Sequence, residues 1–327
     1  MTEDFHVVVP QYLHDPGLML ARKVARLTYW PDDSPMPRAD LLAAVSTADG
    51  VLSHPASRFD RELLDRAPRL RVVSNVAVGY DNVDVAACTE RGIAVCNTPG
   101  VLTDSTADLT FALMLGVCRR VAEADRFTRS GNWRYWTPTL LIGQDLTEAT
   151  LGIVGMGRIG LEVARRARAF RMPILYFSRH RRPDVEAEVG AKFVDLATLL
   201  AEADFVTLHL PGNAETRNLI GARELARMKP TAYLINASRG IVVDQDELAA
   251  ALREHGIAGA GMDVFNPEPI AADHPLLALD NCVLMPHVGS ATIRTRQRMS
   301  EMAARNLIAI LEGTPPLACV NPEVLSG

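Results

Sequence analysis

"TLGIVGMGRIGLEVARRARAF" spans Thr150–Phe170 and changes character twice. A short apolar, β-branched run ends at Val154. Gly155, Gly157 and Gly160 then form a GxGxxG, and a helical pattern follows. Strand, tight turn and helix in that order are the context in which this motif marks dinucleotide binding. Gly155 permits the turn, Gly157 lets the backbone approach a pyrophosphate, and Gly160 allows close helix–strand packing. The anion then sits at the helix N-terminus. On its own the motif could equally be a glycine-rich βα turn, so the surrounding chain has to supply a sheet.

It supplies two. Apolar runs at 6–9, 50–53, 70–76 and 93–97 form one batch, and runs at 150–155, 173–178, 205–210, 232–238, 258–265 and 282–287 form another. Short apolar runs between helical patterns predict βαβ units and parallel sheets covered on both faces. Between the batches, 105–131 reads as one long helix, and "NWRYWTPTLLIGQDL" (132–146) as a looser segment. Six strands from 150 to 287 complete a dinucleotide-binding sheet. The helical pattern at 292–311 must therefore pack on the first domain, which becomes discontinuous. The expected fold is α/β with two domains. Residues 101–289 form a Rossmann-type doubly wound parallel sheet that binds the dinucleotide. Residues 1–100 and 290–327 form a smaller, flavodoxin-like substrate domain.

"YFSRHRRPD" (176–184) closes the second strand of the later batch. An NAD site carries an acid there for the ribose 2′-hydroxyl, whereas an NADP site replaces it and supplies an arginine. Here Ser178 stands in the acid's place, followed by Arg179, His180, Arg181 and Arg182. The planar fork of Arg179 suits a phosphate, and a carboxylate would repel one. A solvated basic loop is the bland alternative. The missing acid at this position points to NADP, with NADPH preferred over NADH.

Three segments follow later strands of the same sheet. "LINASRGIVVD" places Arg239, "GMDVFNPEP" places Asp263 and Glu268, and "VLMPHVGSAT" places His287 before Gly289 and Ser290. Each alone could be a surface ion pair or a loop cap. Ligands of doubly wound sheets bind at the carboxyl ends of the strands, so these residues should converge. Together they offer a cation for a carboxylate, an acid for a carbonyl oxygen, and a carboxylate to keep that acid protonated.

With "GIVGMGRIG", "INASRG", "MDVFNPEP", "HPLL" and "LMPHVGSATIRTR", the chain resembles the D-2-hydroxyacid dehydrogenase family over essentially its full length. Its glyoxylate/hydroxypyruvate reductases resemble it most. The resemblance implies substrate binding by Arg239, orientation of the histidine by Glu268, and proton donation by His287. It implies that the amides of Val78 and Gly79, in "VGYDNVD", hold the substrate carboxylate, with Ser290 beside the substrate. It places Thr106, Arg158, Ile159, Leu210, Ala237, Asp263 and Gly289 with the phosphate-loop glycines and the 178–181 cluster on the cofactor side. It also makes the enzyme a homodimer in which Trp136 reaches the partner's active site. The expected reaction reduces glyoxylate to glycolate and hydroxypyruvate to D-glycerate. Pocket size then depends on the loops near Ser53, His54 and Trp136.

Composition agrees with an enzyme of small molecules. The 327 residues are 48% hydrophobic and 22% charged, and the net charge of −5 gives no general attraction to nucleic acid or anionic membrane. The opening "MTEDFHVVVP" lacks the pattern of a signal peptide, and no apolar stretch is long enough to span a membrane. Five scattered cysteines without a CxxC pair point to reduced thiols in the cytoplasm and away from a metal site. Two rival readings stand: a broad 2-ketoacid reductase, and a cofactor-sensing module of the kind found in transcriptional co-repressors. No appended interaction tail favours the latter.

Overall fold

The computed structural model describes residues 5–325. They form two compact units, unit 1 from 5–102 with 291–325 and unit 2 from 103–290. The chain runs through β1 (Phe5–Val9), α1 (Gly17–Val24), β2 (Ala25–Tyr29), α2 (Arg38–Val45), β3 (Gly50–Ser53), α3 (Arg61–Asp65), β4 (Val72–Asn75), α4 (Val85–Glu90) and β5 (Ala94–Cys96). It continues through α5 (Thr103–Cys118), α6 (Val121–Arg129), β6 (Leu151–Val154), α7 (Arg158–Ala167), β7 (Ile174–Phe177), α8 (Pro183–Val189), β8 (Lys192–Phe193) and α9 (Leu196–Glu202). Then come β9 (Phe205–Leu208), α10 (Ala222–Leu225), β10 (Tyr233–Asn236), α11 (Gln245–Arg253), β11 (Gly259–Met262), β12 (Cys282–Leu284) and α12 (Ile293–Leu311).

Unit 1 is a parallel five-stranded sheet in the order β2-β1-β3-β4-β5, the flavodoxin-like arrangement. Its topological switch point lies between β1 and β3. Strands β3, β4 and β5 are buried along their whole length, which is why they read as unbroken apolar runs. Helix α12 belongs to this unit. Met299, Ala303, Ala304 and Leu307 pack with Val7, Val9, Leu52 and Val72. Ser74 Oγ donates to the Ala303 carbonyl at 2.8 Å, and Arg71 donates to the carbonyls of Leu311 and Ile310 at 3.1 and 3.2 Å.

Unit 2 is a parallel seven-stranded sheet in the order β12-β11-β10-β9-β6-β7-β8. Counted from β6, this is the Rossmann order 3-2-1-4-5-6 with a seventh strand added, and the switch point lies between β6 and β9. One core, including Val163, Ala164 and Phe205, covers one face, and a second, including Leu199, Leu234 and Leu248, covers the other. Aspartates start several helices. Asp195 accepts from the Thr198 amide at 2.9 Å and Asp244 from the Glu247 amide at 3.2 Å.

The sequence pattern misses two strands and one break. β2 is a half-exposed edge strand that begins where α1 ends, and β8 is two exposed residues long. The expected six-strand sheet therefore has seven. The long helix expected over 105–131 is two helices, because the chain turns at Arg120, which adopts a left-handed φ of 51°. The Cys118 carbonyl is taken by the Gln144 amide at 2.9 Å, so α5 ends on a contact made from far along the chain. Among the described residues no helix is long and apolar enough to cross a membrane.

The tail after α12 is locked to β5 by Asn321, which is almost wholly buried. It accepts from the Val95 amide at 2.7 Å and donates to the Ile93 carbonyl and Thr89 Oγ1, both at 2.9 Å. Asn321→Ala leaves the buried Val95 amide unpaired. It should lower the stability of unit 1 by about 3 kcal/mol in urea unfolding, against under ~0.5 kcal/mol for an exposed control such as Glu312→Ala.

Candidate active site

The phosphate loop occupies the turn from β6 to α7. Gly155 has φ of +102°, and a Cβ there would lie 2.5 Å from the His209 carbonyl oxygen, so no other residue fits. A Cβ at Gly160 would collide with the Gly155 carbonyl, whereas beside Gly157 there is open space. The loop thus packs tightly behind and opens in front, and the amides at the start of α7 supply an anion seat. These features fit a dinucleotide pyrophosphate. Arg158 is exposed there and Ile159 half-buried.

After β7, Ser178 is half-buried and Arg179 and His180 are exposed. The neighbouring charges are already engaged. Arg181 pairs with Glu186 at 2.8 Å and Arg182 with Asp184 at 2.7 Å. Among the described residues Arg179 pairs only with the exposed Glu215, at 3.6 Å. Burial raises the Tyr176 hydroxyl pKa, the Arg182 amide lowers it and the Glu186 hydrogen bond raises it again, for a net rise. Of the four basic residues, Arg179 and His180 are the ones without a close carboxylate partner on the adjoining helix.

Three strand ends beyond the switch point come together. His287 Nδ1 lies 2.7 Å from Glu268 Oε2, and the other oxygen of Glu268 accepts from the Phe265 amide at 2.8 Å. Burial pushes the Glu268 carboxyl up. The bond and charge of His287, the Phe265 amide and the Arg239 charge outweigh it and hold the group below the usual glutamate value. The pair's stabilisation is therefore present above the ordinary glutamate pKa and is lost as pH falls through the lowered value. At neutral pH Glu268 is an anion against one side of the imidazole, leaving Nε2 for a reacting group.

His287 adopts a left-handed φ of 55°. The turn holding it is fixed by Asp263, which is buried and accepts from the amides of Val288 at 2.7 Å and Gly289 at 2.9 Å. The His287 amide donates to the Asp263 carbonyl at 2.8 Å, and Thr106 Oγ1 donates to the Gly289 carbonyl at 3.3 Å. Burial raises the Asp263 pKa more than the two amides lower it. Thr106, Asp263 and Gly289, read from sequence as separate cofactor contacts, thus form one bracket beneath His287.

The Arg239 loop has its own bracket, which sequence reasoning missed. Asn236 Nδ2 donates to the Arg239 carbonyl at 2.9 Å, and its Oδ1 accepts from Ser238 N and Oγ at 3.0 and 2.8 Å. Gln245 Nε2 donates to the Asn266 carbonyl at 2.6 Å, bracing the segment before Glu268. A polar residue closing an otherwise apolar buried strand, as in "LIN", was the available signal. Leu210 is half-buried beside the phosphate loop, Ala237 is buried and Ser290 half-buried.

In unit 1 the carbonyls of Val78 and Gly79 accept from Asn97 Nδ2 at 2.8 Å and Asn75 Nδ2 at 2.7 Å. Trp133, Tyr135 and Trp136 lie on an irregular segment of unit 2, and Trp136 is 77% exposed.

A strand-ending arginine, a carboxylate–imidazole pair and a Rossmann phosphate loop in one sheet agree with what the chain matches. The model of the D-isomer specific 2-hydroxyacid dehydrogenase NAD binding domain matches residues 111–289. A glyoxylate reductase of Thermococcus litoralis is 48% identical over 324 residues, 98% of each chain. The chain belongs to the D-isomer specific 2-hydroxyacid dehydrogenase family. Among solved structures, a protein of Thermus thermophilus is 45% identical with a TM-score of 0.90, covering 97% of this chain and 100% of the other. An NADPH-dependent glyoxylate/hydroxypyruvate reductase of Sinorhizobium meliloti, solved with NADP and malonate, is 33% identical with a TM-score of 0.84 over 97% of both chains. This dehydrogenase is thus an oxidoreductase with a nicotinamide dinucleotide as cofactor and a small-molecule substrate.

Asp263→Asn turns an amino group toward an amide that the wild-type carboxylate accepts from. The dehydrogenase should lose about 2 kcal/mol, the worth of one charged hydrogen bond, measured by urea unfolding. Unchanged stability would mean that the bracket does not hold the His287 turn.

Proposed function

We propose that this dehydrogenase reduces glyoxylate to glycolate and hydroxypyruvate to D-glycerate, with NADPH preferred over NADH. The 2.7 Å pairing of His287 with Glu268 carries the reading. When bound, the nicotinamide supplies the hydride for the C2 carbonyl. Arg239 binds the substrate carboxylate and polarises the carbonyl, helped by the Val78 and Gly79 amides, with Ser290 beside the substrate. His287 delivers a proton from Nε2 to the C2 oxygen while Glu268 steadies the imidazolium. Gly155, Gly157, Arg158, Ile159 and Gly160 hold the pyrophosphate, and Thr106, Leu210, Ala237, Asp263 and Gly289 shape the rest of the cofactor site. Unit 1 serves as the substrate domain and unit 2 as the dinucleotide domain.

NADPH preference rests on Ser178 in place of an acid, with Arg179 and His180 beside it and Arg181 next along. The S. meliloti reductase, NADPH-dependent by name, supports it. The exposed Trp133, Tyr135 and Trp136 favour a homodimer in which Trp136 enters the partner's substrate site, since large aromatics anchor interfaces. A cytoplasmic setting suits the five free thiols.

His287→Ala should lower kcat by about two to four orders of magnitude while cofactor affinity, read by fluorescence titration, stays within about threefold. Glu268→Gln should lower kcat by about tenfold or more with the glyoxylate KM changed less, since the imidazole loses the carboxylate that orients it. An unchanged kcat would make Glu268 structural. Ser178→Asp combined with Arg179→Ala should weaken NADPH binding by about tenfold or more and swing kcat/KM toward NADH. A wild type that prefers NADH would overturn the cofactor reading.

A further inference from the structure

Unit 1 carries its own unexplained polar chemistry. Among the described residues, its buried side-chain atoms without a hydrogen-bond partner are His54 Nε2, Ser57 Oγ and Thr98 Oγ1. All three lie just beyond the carboxyl ends of strands, His54 and Ser57 after β3 and Thr98 after β5. Buried polar groups are normally paired, so three at one edge of one sheet mark a place built to meet a polar ligand. His54 also borders the β1/β3 switch point, the crevice where doubly wound sheets take their ligands.

The His54 loop is joined to the Val78–Gly79 loop. Asn82 Nδ2 donates to the carbonyls of His54 and Ser57 at 3.1 and 2.9 Å. Asn75 Nδ2 donates to Asn82 Oδ1 at 3.1 Å and to the Gly79 carbonyl at 2.7 Å, and Ser53 Oγ donates to Asn75 Oδ1 at 3.0 Å. Whatever Val78 and Gly79 hold by its carboxylate is therefore held close to His54.

We propose that His54 is the specificity-determining residue that hydrogen-bonds the C3 hydroxyl of hydroxypyruvate. This rests on the substrate reading given above and deepens it. Burial, with the charges of Arg296 and His14, pushes the His54 imidazole down to about 4, so the ring is neutral at neutral pH. One nitrogen of a neutral imidazole donates and the other accepts. A hydroxyl satisfies Nε2 in either tautomer. A second carboxylate can only accept, which suits the Nε2–H tautomer alone, so a hydroxyl is the partner that fits whichever nitrogen carries the proton. The ligand that fits is a 2-oxo acid with a hydroxyl at C3.

Hydroxypyruvate and 2-oxobutyrate differ by a hydroxyl in place of a methyl, so their kcat/KM ratio isolates this contact. Wild type should favour hydroxypyruvate by about tenfold or more, the worth of one buried hydrogen bond. His54→Leu should bring the ratio to within about threefold of unity, with the hydroxypyruvate KM rising more than kcat falls. His54→Gln, which keeps a hydrogen-bonding end, should restore part of the preference; it also serves if the leucine variant fails to fold. Equal losses for both substrates would make His54 structural and overturn the proposal. So would a His54-dependent preference for oxaloacetate over hydroxypyruvate. A wild type that reduces glyoxylate without favouring hydroxypyruvate over 2-oxobutyrate overturns the role of His54 alone. One that reduces neither glyoxylate nor hydroxypyruvate overturns the proposed function as well.

Discussion

Parallel strands all end on the same edge of their sheet, and everything chemical in this protein follows from that. A sheet buried on both faces leaves no room for polar side chains along its strands, so functional groups must wait until each strand stops. In unit 2 the phosphate loop follows β6, Ser178 follows β7, Leu210 follows β9, Arg239 follows β10, Asp263 and Glu268 follow β11, and His287 follows β12. Residues remote from one another in the chain are thereby delivered to one rim. The fold brings them there, and short side-chain networks do the final aiming.

Those networks show where stability is committed to function. His287 sits in a left-handed conformation that costs a non-glycine residue on the order of 1–2 kcal/mol. Two charged hydrogen bonds that Asp263 accepts from the amides of Val288 and Gly289 offset that cost and fix the turn that carries the imidazole. Glu268 then meets Nδ1, which leaves Nε2 as the ring nitrogen not engaged by this carboxylate. Asn236 does for the Arg239 loop what Asp263 does for the His287 turn. In both cases a buried polar residue at a strand end aligns a more exposed neighbour.

The basic cluster after β7 shows how composition can overstate a field. Four cationic residues in sequence suggest a strongly positive patch, yet Arg181 and Arg182 are matched by Glu186 and Asp184 within α8. Exposed pairs of this kind are worth little for stability, but they cancel charge locally. What remains to attract an anion is the Ser178–His180 segment, at the strand end where the ribose of a dinucleotide belongs.

The amino-acid sequence by itself determined the sheet-forming strands, the phosphate loop and the identities of Arg239, Glu268 and His287. Each of these depends on local chemistry, such as an apolar run buried on both faces or a glycine that the turn requires. Tertiary structure alone decided the rest. Edge strands β2 and β8 lack a continuous apolar signature because they are covered incompletely. The break between α5 and α6 depends on a Gln144 contact that no periodicity reports. The roles of Asp263, Thr106 and Asn236 as brackets, and the unpaired nitrogen of His54, are properties of distance between residues remote in the chain. A sequence states which groups are present, but the pairing of donors with acceptors is settled only when packing brings them within about 3 Å.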